Sequence, residues 1–305
     1  HVMPRLRDGT GYNAASSART DGPSKAARKG AVGFLVRSAS TGSTRVPHTG
    51  ALHYQPNTAH IPAAALSVPD AELLNRTLAS GADVSCELTL GCKPLPDGES
   101  DNVIGELPGT DRAWEIVLLG AHLDSWDVGT GALDDAAGCA IALEVARLLA
   151  GLPGRPRRTV RIVLFGNEEL GSGGGRGYAD RHRDEAQRHV AAMEADQGDG
   201  RPWALRVPQD RRDSRATRVL HAALEPLGIA LDHGQARGGV DILPLRDLGV
   251  PFVDLRQDAT TYFDYHHSAS DVLEAVSCED LEASAVAFAA AVWVLANMED
   301  SFAGR

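Results

Sequence analysis

Apolar positions follow two grammars along this chain. Up to about residue 95 they form short β-type runs, "AVGFLVRS" (31–38) and "VSCELTL" (84–90), set among Gly, Ser and Thr. A stretch with helical spacing, "VPDAELLNRTLASG" (68–81), lies between them. The segment "GCKPLPDGESD" (91–101) is rich in Pro, Gly and charge and reads as a linker. Beyond it a strand–loop–helix pattern repeats. "AWEIVLLGA" (113–121) leads to a helix over 134–150, and "TVRIVLFG" (159–166) to a Gly-rich turn and a helix near 175–187. "HVAAMEA" (189–195) and "VPFVDL" (250–255) are further strands, with a helix near 214–227 between them. The closing "SCEDLEASAVAFAAAVWVLANM" (277–298) is helical, with Ser277 and Asp280 placed for a capping box. Buried strands alternating with helices predict an α/β fold, a mostly parallel central sheet with helices on both faces.

Composition narrows the function. A hydrophobic share of 43% over 305 residues supports a sizeable core in one large domain or two ordinary ones. The net charge of −11 argues against nucleic acid, whose phosphates demand basic surface. The longest apolar helix, near 283–296, is interrupted by Ser284 and is no membrane span. Cys86, Cys92, Cys139 and Cys278 fit no metal-binding spacing, and the pairing of Cys86 with Cys92 stays open. The chain opens on His1 with no initiator Met and no signal peptide, so a processed or truncated form is expected.

Candidate chemistry gathers after the strands, where ligands of such sheets bind. The first strand ends in His122, with Asp124 following and Asp134 at the start of the next helix. The second ends in Glu168 and Glu169, the third in Glu194 and Asp196, and the fourth runs on to His266, His267 and Asp271. Singly, each has a bland explanation: His-x-Asp is usually nothing, Glu-Glu a solvated turn, Asp196 a helix cap, His266 a packing residue. Together they would crowd carboxylates that cannot all ionise cheaply without cations. Two divalent ions relieve that repulsion, bridged by one carboxylate. Mixed imidazole and carboxylate ligation suits zinc, with cobalt or manganese as substitutes. "GTGALD" (129–134) lacks the third Gly of a dinucleotide fingerprint, "GSGGG" (171–175) is no nucleophile elbow, and there is no P-loop.

"GAHLDSWDVGTGALDDAAG", "LFGNEELGSGG", "MEADQGDG", "GGVDILPL" and "YFDYHHSASD" occur in order over roughly 105–300. In them the chain resembles the co-catalytic zinc peptidases of family M28, and within these the carboxypeptidase Q group. "GAVGFLVRS", "HTG" (48–50) and "IPAAALS" (61–67) resemble the protease-associated domain inserted in such enzymes. The resemblance implies a smaller β-rich protease-associated-type domain over 1–95. Residues 96–305 would form a catalytic domain of the zinc-exopeptidase type, both domains lacking upstream sequence. It implies that Asp134 bridges two zinc ions, that His122 and Asp196 complete one site, and that Glu169 and His267 complete the other. Glu168 would be the general base, and Asp124 would orient His122. The implied activity is exopeptidase hydrolysis of short peptides, in a secreted, periplasmic or lysosomal setting, and a homodimer is compatible with it. A one-zinc glutaminyl cyclase and a non-catalytic receptor or scaffold are the alternatives. The sequence departs from the family at Asn167, where a small residue is usual, and at Val240, where Thr is common, beside Asp241.

Overall fold

The structure, a computed structural model, describes residues 2–93 and 95–303. It divides into two units, one of His1–Glu99, Trp126–Gly131 and Ala259–Ala275, the other of Ser100–Ser125, Ala132–Asp258 and Val276–Arg305.

In the first unit, α1 (Tyr12–Ala27) precedes β1 (Phe34–Arg37), and β2 (Ala63–Leu66) precedes α2 (Val68–Ala79). The strands pair in parallel from Phe34↔Ala63 to Arg37↔Leu66. Ser67 begins α2, its hydroxyl accepting the Asp70 N–H at 3.2 Å. Helices of 16 and 12 residues against strands of four make this unit helix-rich rather than β-rich. No strand forms over 84–90, where six of the seven residues are exposed. Its β-like pattern finds no ladder among the described residues, and a strand without a neighbour has no partner for its backbone groups. Residues 259–275 are held within this unit: Thr41 N–H and Ser40 Oγ donate to the Phe263 carbonyl, and Arg5 grips Asp264 with both guanidinium nitrogens.

The second unit carries β3 (Val103–Leu107), β4 (Arg112–His122), α3 (Ala137–Ala150), β5 (Arg158–Phe165), α4 (Gly173–Arg181) and β6 (His189–Glu194). It continues through β7 (Pro202–Val207), α5 (Arg215–Leu224), β8 (Ala230–Gln235), β9 (Asp254–Gln257) and α6 (Cys278–Asn297). One sheet has the order β3-β5-β4-β6, the other β8-β7-β9. A bridge from Ala192 to Phe252 bonds β6 to the chain entering β9 and joins the two. The central β4, β5 and β6 are parallel, as expected, but antiparallel partners appear beyond them, β3 on β5 and β9 on β7.

Side-chain alternation divides the core. Val117, Leu119 and Ala121 of β4 pack with Ile141 and Val145 of α3, Leu220 of α5, and Phe288 and Val292 of α6. Leu118 between them points to Phe165, Tyr178 of α4, Ile242 and Phe252. The helices thus cover both faces, which is why Ile116–Leu119 and Ile162–Phe165 read as unbroken apolar runs. α6 is capped by Ser277, whose hydroxyl accepts the Asp280 N–H at 3.3 Å, but the expected capping box is not closed, since the Ser277 N–H donates to Asp199. No described helix is long and apolar enough to cross a membrane.

Candidate metal centre

Parallel pairing sets His122 opposite Phe165, and Gly120 opposite Glu194, so β4, β5 and β6 end at one level. His122 closes β4 and is 1% exposed. Its Nε2 lies 3.3 Å from Asp134 Oδ1 and 3.5 Å from Asp196 Oδ1. One ligand atom from each of the three lies within 4.8 Å of the others. An imidazole nitrogen and two carboxylate oxygens, buried and converging, fit one divalent ion of the zinc type.

Asp134 is not in a helix. The sequence pattern starts α3 at residue 134, but Asp134 and Asp135 have non-helical dihedrals and the helix begins at Ala137. The reason is Asp135, whose carboxylate accepts the His122 N–H at 3.0 Å and the Gly138 N–H at 3.1 Å. It ties the end of β4 to the first turn of α3 and leaves Asp134 facing His122. A side chain at 138 could not coexist with this: a Cβ would stand 2.0 Å from the Ala195 carbonyl oxygen and 2.3 Å from Asp135 Oδ1. The Cys139 thiol reinforces the join, donating to the His122 carbonyl at 2.9 Å.

Glu168 and Glu169 sit on the turn after β5. Asn167 has φ 59°, and the Glu168 carbonyl accepts N–H groups from Gly171 and Ser172. Asn102 braces the turn, accepting from Gly166 N–H at 3.0 Å and donating to the Gly174 carbonyl at 2.9 Å. Asp124 serves both halves of the site. Its main-chain carbonyl is 2.9 Å from His122 Nδ1, whereas its carboxylate is 3.8 Å away. The carboxylate instead accepts Glu168 N–H at 2.8 Å and Glu169 N–H at 3.2 Å. Orientation of His122 therefore falls to the Asp124 backbone, and its side chain fixes the paired glutamates.

The electrostatics call for cations. Burial, then the nearby Asp196 carboxylate, pushes Glu168 up to about 9. Burial and Asp196 push Glu194 up to about 8, although it accepts N–H groups from Asp241 and Ile242. Asp241 is also raised to about 8, by burial and then by Glu194, and its two oxygens find no hydrogen-bond donor among the described residues. Burial alone would depress the His122 imidazole, but hydrogen bonding to Asp134 and then Asp196 overrides it and raises its proton affinity. Carboxylates whose charge is this costly are stabilised when a metal ion supplies the missing positive charge.

Of the seven residues singled out for the site, His122, Asp124, Asp134, Glu168, Glu169 and Asp196 all belong to the second unit. His267 belongs to the first. There it has φ 57°, and His266 stacks on its ring at 3.7 Å between centroids. His266 is 8% exposed, its ring against Tyr12, Tyr262 and Phe263. Sequence reasoning gave no role to Asp135, Asn102 or Cys139. The doubled Asp of "LDDAAG" was the one signal available for Asp135, since two adjacent carboxylates seldom serve the same purpose. All four cysteines are free thiols.

An α/β sheet with imidazole and carboxylates converging at its carboxyl edge matches what comparison with known proteins returns. Residues 102–292 match the profile of peptidase family M28, and the chain belongs to that family. It is 35% identical to carboxypeptidase Q of Mus musculus over 291 residues, covering 95% of this chain and 62% of that protein. The chain thus spans less than two thirds of that relative's length. A crystal structure of a peptidase M28 precursor from Shewanella amazonensis SB2B superimposes with TM-score 0.94 at 43% identity, over 98% of this chain and 67% of that one. A zinc aminopeptidase from Bacillus subtilis shares the fold, with TM-score 0.63 at 23% identity over 96% and 69%.

Proposed function

We propose that this protein is a metal-dependent exopeptidase that hydrolyses short peptides and works with two zinc ions. The observation that carries the reading is the convergence of His122, Asp134 and Asp196 beside Glu168, in a chain of family M28. His122, Asp134 and Asp196 hold one ion. By the family pattern, Asp134, Glu169 and His267 would hold a second. The ions supply Lewis acidity for the peptide carbonyl and an acidified water.

The chain's own groups do the rest. Asp124 pins the Glu168 and Glu169 N–H groups, so the base and its neighbouring ligand move as one piece. Glu168 accepts the proton of the attacking water and returns it to the leaving amine. A positioned base of this kind is worth about 10²–10⁴-fold in rate. The Asp124 carbonyl keeps the proton of His122 on Nδ1, leaving Nε2 as the donor toward the ion.

Elemental analysis coupled to dipeptide hydrolysis tests the proposal. About two zinc per chain, with turnover abolished by chelation and restored by zinc, is expected. A protein that binds no metal, or whose hydrolysis is indifferent to chelation, would refute it.

A further inference from the structure

Within the first unit, the segment 48–51 runs alongside the His267 loop. Thr49 N–H donates to the His267 carbonyl at 2.7 Å, and His48 forms an antiparallel bridge with Ser268. The Thr49 carbonyl lies 3.4 Å from His267 Nδ1. A carbonyl can only accept, so this contact holds the imidazole proton on Nδ1 and leaves Nε2 as the lone-pair nitrogen. His266 stacked at 3.7 Å covers one face of the ring, and Trp126 stands 5.7 Å from it.

The strap is itself anchored from α1. Arg19 donates through Nη1 to the Thr49 carbonyl at 3.1 Å and through Nε to the Ala51 carbonyl at 3.2 Å. Gly50 between them has φ 144°, and a Cβ there would lie 2.2 to 2.6 Å from guanidinium atoms of Arg19. The missing side chain is what lets Arg19 lie across the strap. His48 fixes the other end, its backbone N–H donating to Ser38 Oγ at 3.0 Å and its Nδ1 accepting from Ala39 N–H.

We infer that Arg19 and the strap it holds are positioning elements for a metal ligand: they select the Nδ1–H tautomer and the left-handed backbone of His267. Each link lies in one unit, and the Thr49 carbonyl is shared between Arg19 and His267. The inference rests on the proposed role of His267 at the second ion. It assigns to α1 and residues 48–51 a task that neither the metal-ligand pattern nor the general base requires.

Arg19→Met and Gly50→Ala in the full chain test it, with His267→Ala as reference. Zinc is titrated against a competing chelator, and the His267 ring nitrogens are followed by 15N NMR in the metal-free protein. The first zinc equivalent should bind as in the unaltered chain, and the second about 10–100-fold more weakly, the usual effect of losing an outer partner of a metal-bound imidazole. The ring should shift from one tautomer toward a mixture, and Arg19→Lys should lose less than Arg19→Met. Folded variants with both zinc affinities and the tautomer unchanged would overturn the inference. Should Arg19→Met fail to fold, Gly50→Ala decides, because it displaces the guanidinium without removing it. Two tight equivalents in His267→Ala would instead refute His267 as a ligand, and the tautomer readout would still decide the strap.

Discussion

Asp124→Asn separates two tasks that one residue performs. The substitution keeps the main-chain carbonyl on His122 Nδ1 at 2.9 Å and keeps the side-chain volume. It removes the charge that receives Glu168 N–H at 2.8 Å and Glu169 N–H at 3.2 Å. The amide oxygen can serve one of these donors, but its NH₂ group then faces the other. One charge-assisted bond is lost, worth about 1.5–3 kcal/mol, and the other is reduced to a neutral bond of about 1 kcal/mol. Because 29% of the Asp124 side chain is exposed and water can replace part of this, the expected loss of stability is about 1–3 kcal/mol. The larger consequence is geometric, since a 1 Å displacement of a reacting group can cost about 10²-fold in rate. Turnover of a dipeptide should therefore fall by about that factor at saturating substrate, while the zinc held by His122, Asp134 and Asp196 is retained. Thermal unfolding, steady-state kinetics and a metal titration read the three effects separately. Loss of that ion with the glutamate turn undisturbed would show that the carboxylate, not the carbonyl, orients His122.

Glu168→Gln should keep its metal and lose about 10²–10⁴-fold in turnover, measured by hydrolysis and elemental analysis together. Gly138→Ala forces a methyl onto the Ala195 carbonyl and should cost about 1–3 kcal/mol or more, seen as a Tm lower by several degrees. The metal-free protein should lose stability as pH rises. Glu168, Glu194 and Asp241 hold their protons in the fold to about 9, 8 and 8, whereas the unfolded chain releases them near the ordinary carboxyl value, and the raised His122 acts in the same sense. The folded state then binds more protons between about pH 4.5 and 9, so unfolding is favoured as pH climbs through that window. Tm in chelator at pH 5.5 should exceed that at pH 8. Zinc at about 100 times its Kd should restore about 2.7 kcal/mol at the higher pH.

The central strands were legible because they are buried on both faces, so Ile116–Leu119 and Ile162–Phe165 read as continuous apolar runs whatever surrounds them. Six of the seven site residues could be placed after those strands for the same reason. Elements that rest on few apolar contacts were not legible. α1 buries only Ala15, Pro23 and Ser24 and contains a Gly-Pro pair. β8, "ALDHGQ", is polar, and its place depends on pairing with β7 rather than on its own pattern. The start of α3 was misplaced because Asp135 bonds backward to β4, a long-range choice that no local propensity encodes. The true service of the Asp124 side chain was hidden likewise: spacing brings it near His122, but only the turn after β5 shows what its oxygens bind.

β3 forms one margin of its sheet, bonded to β5 alone among the described residues. Val103 and Ile104 are 55% and 43% exposed although neighbours along a strand point to opposite sides. Asn102 at its start and the Glu106–Arg161 ion pair hold its register, while its outer backbone groups are a template for another chain. Val103 pairs with Leu164, so a chain added at this margin would lie beside the turn that carries Glu168 and Glu169. Glu106, the one charged residue of the strand, is engaged by Arg161 at 2.7 Å.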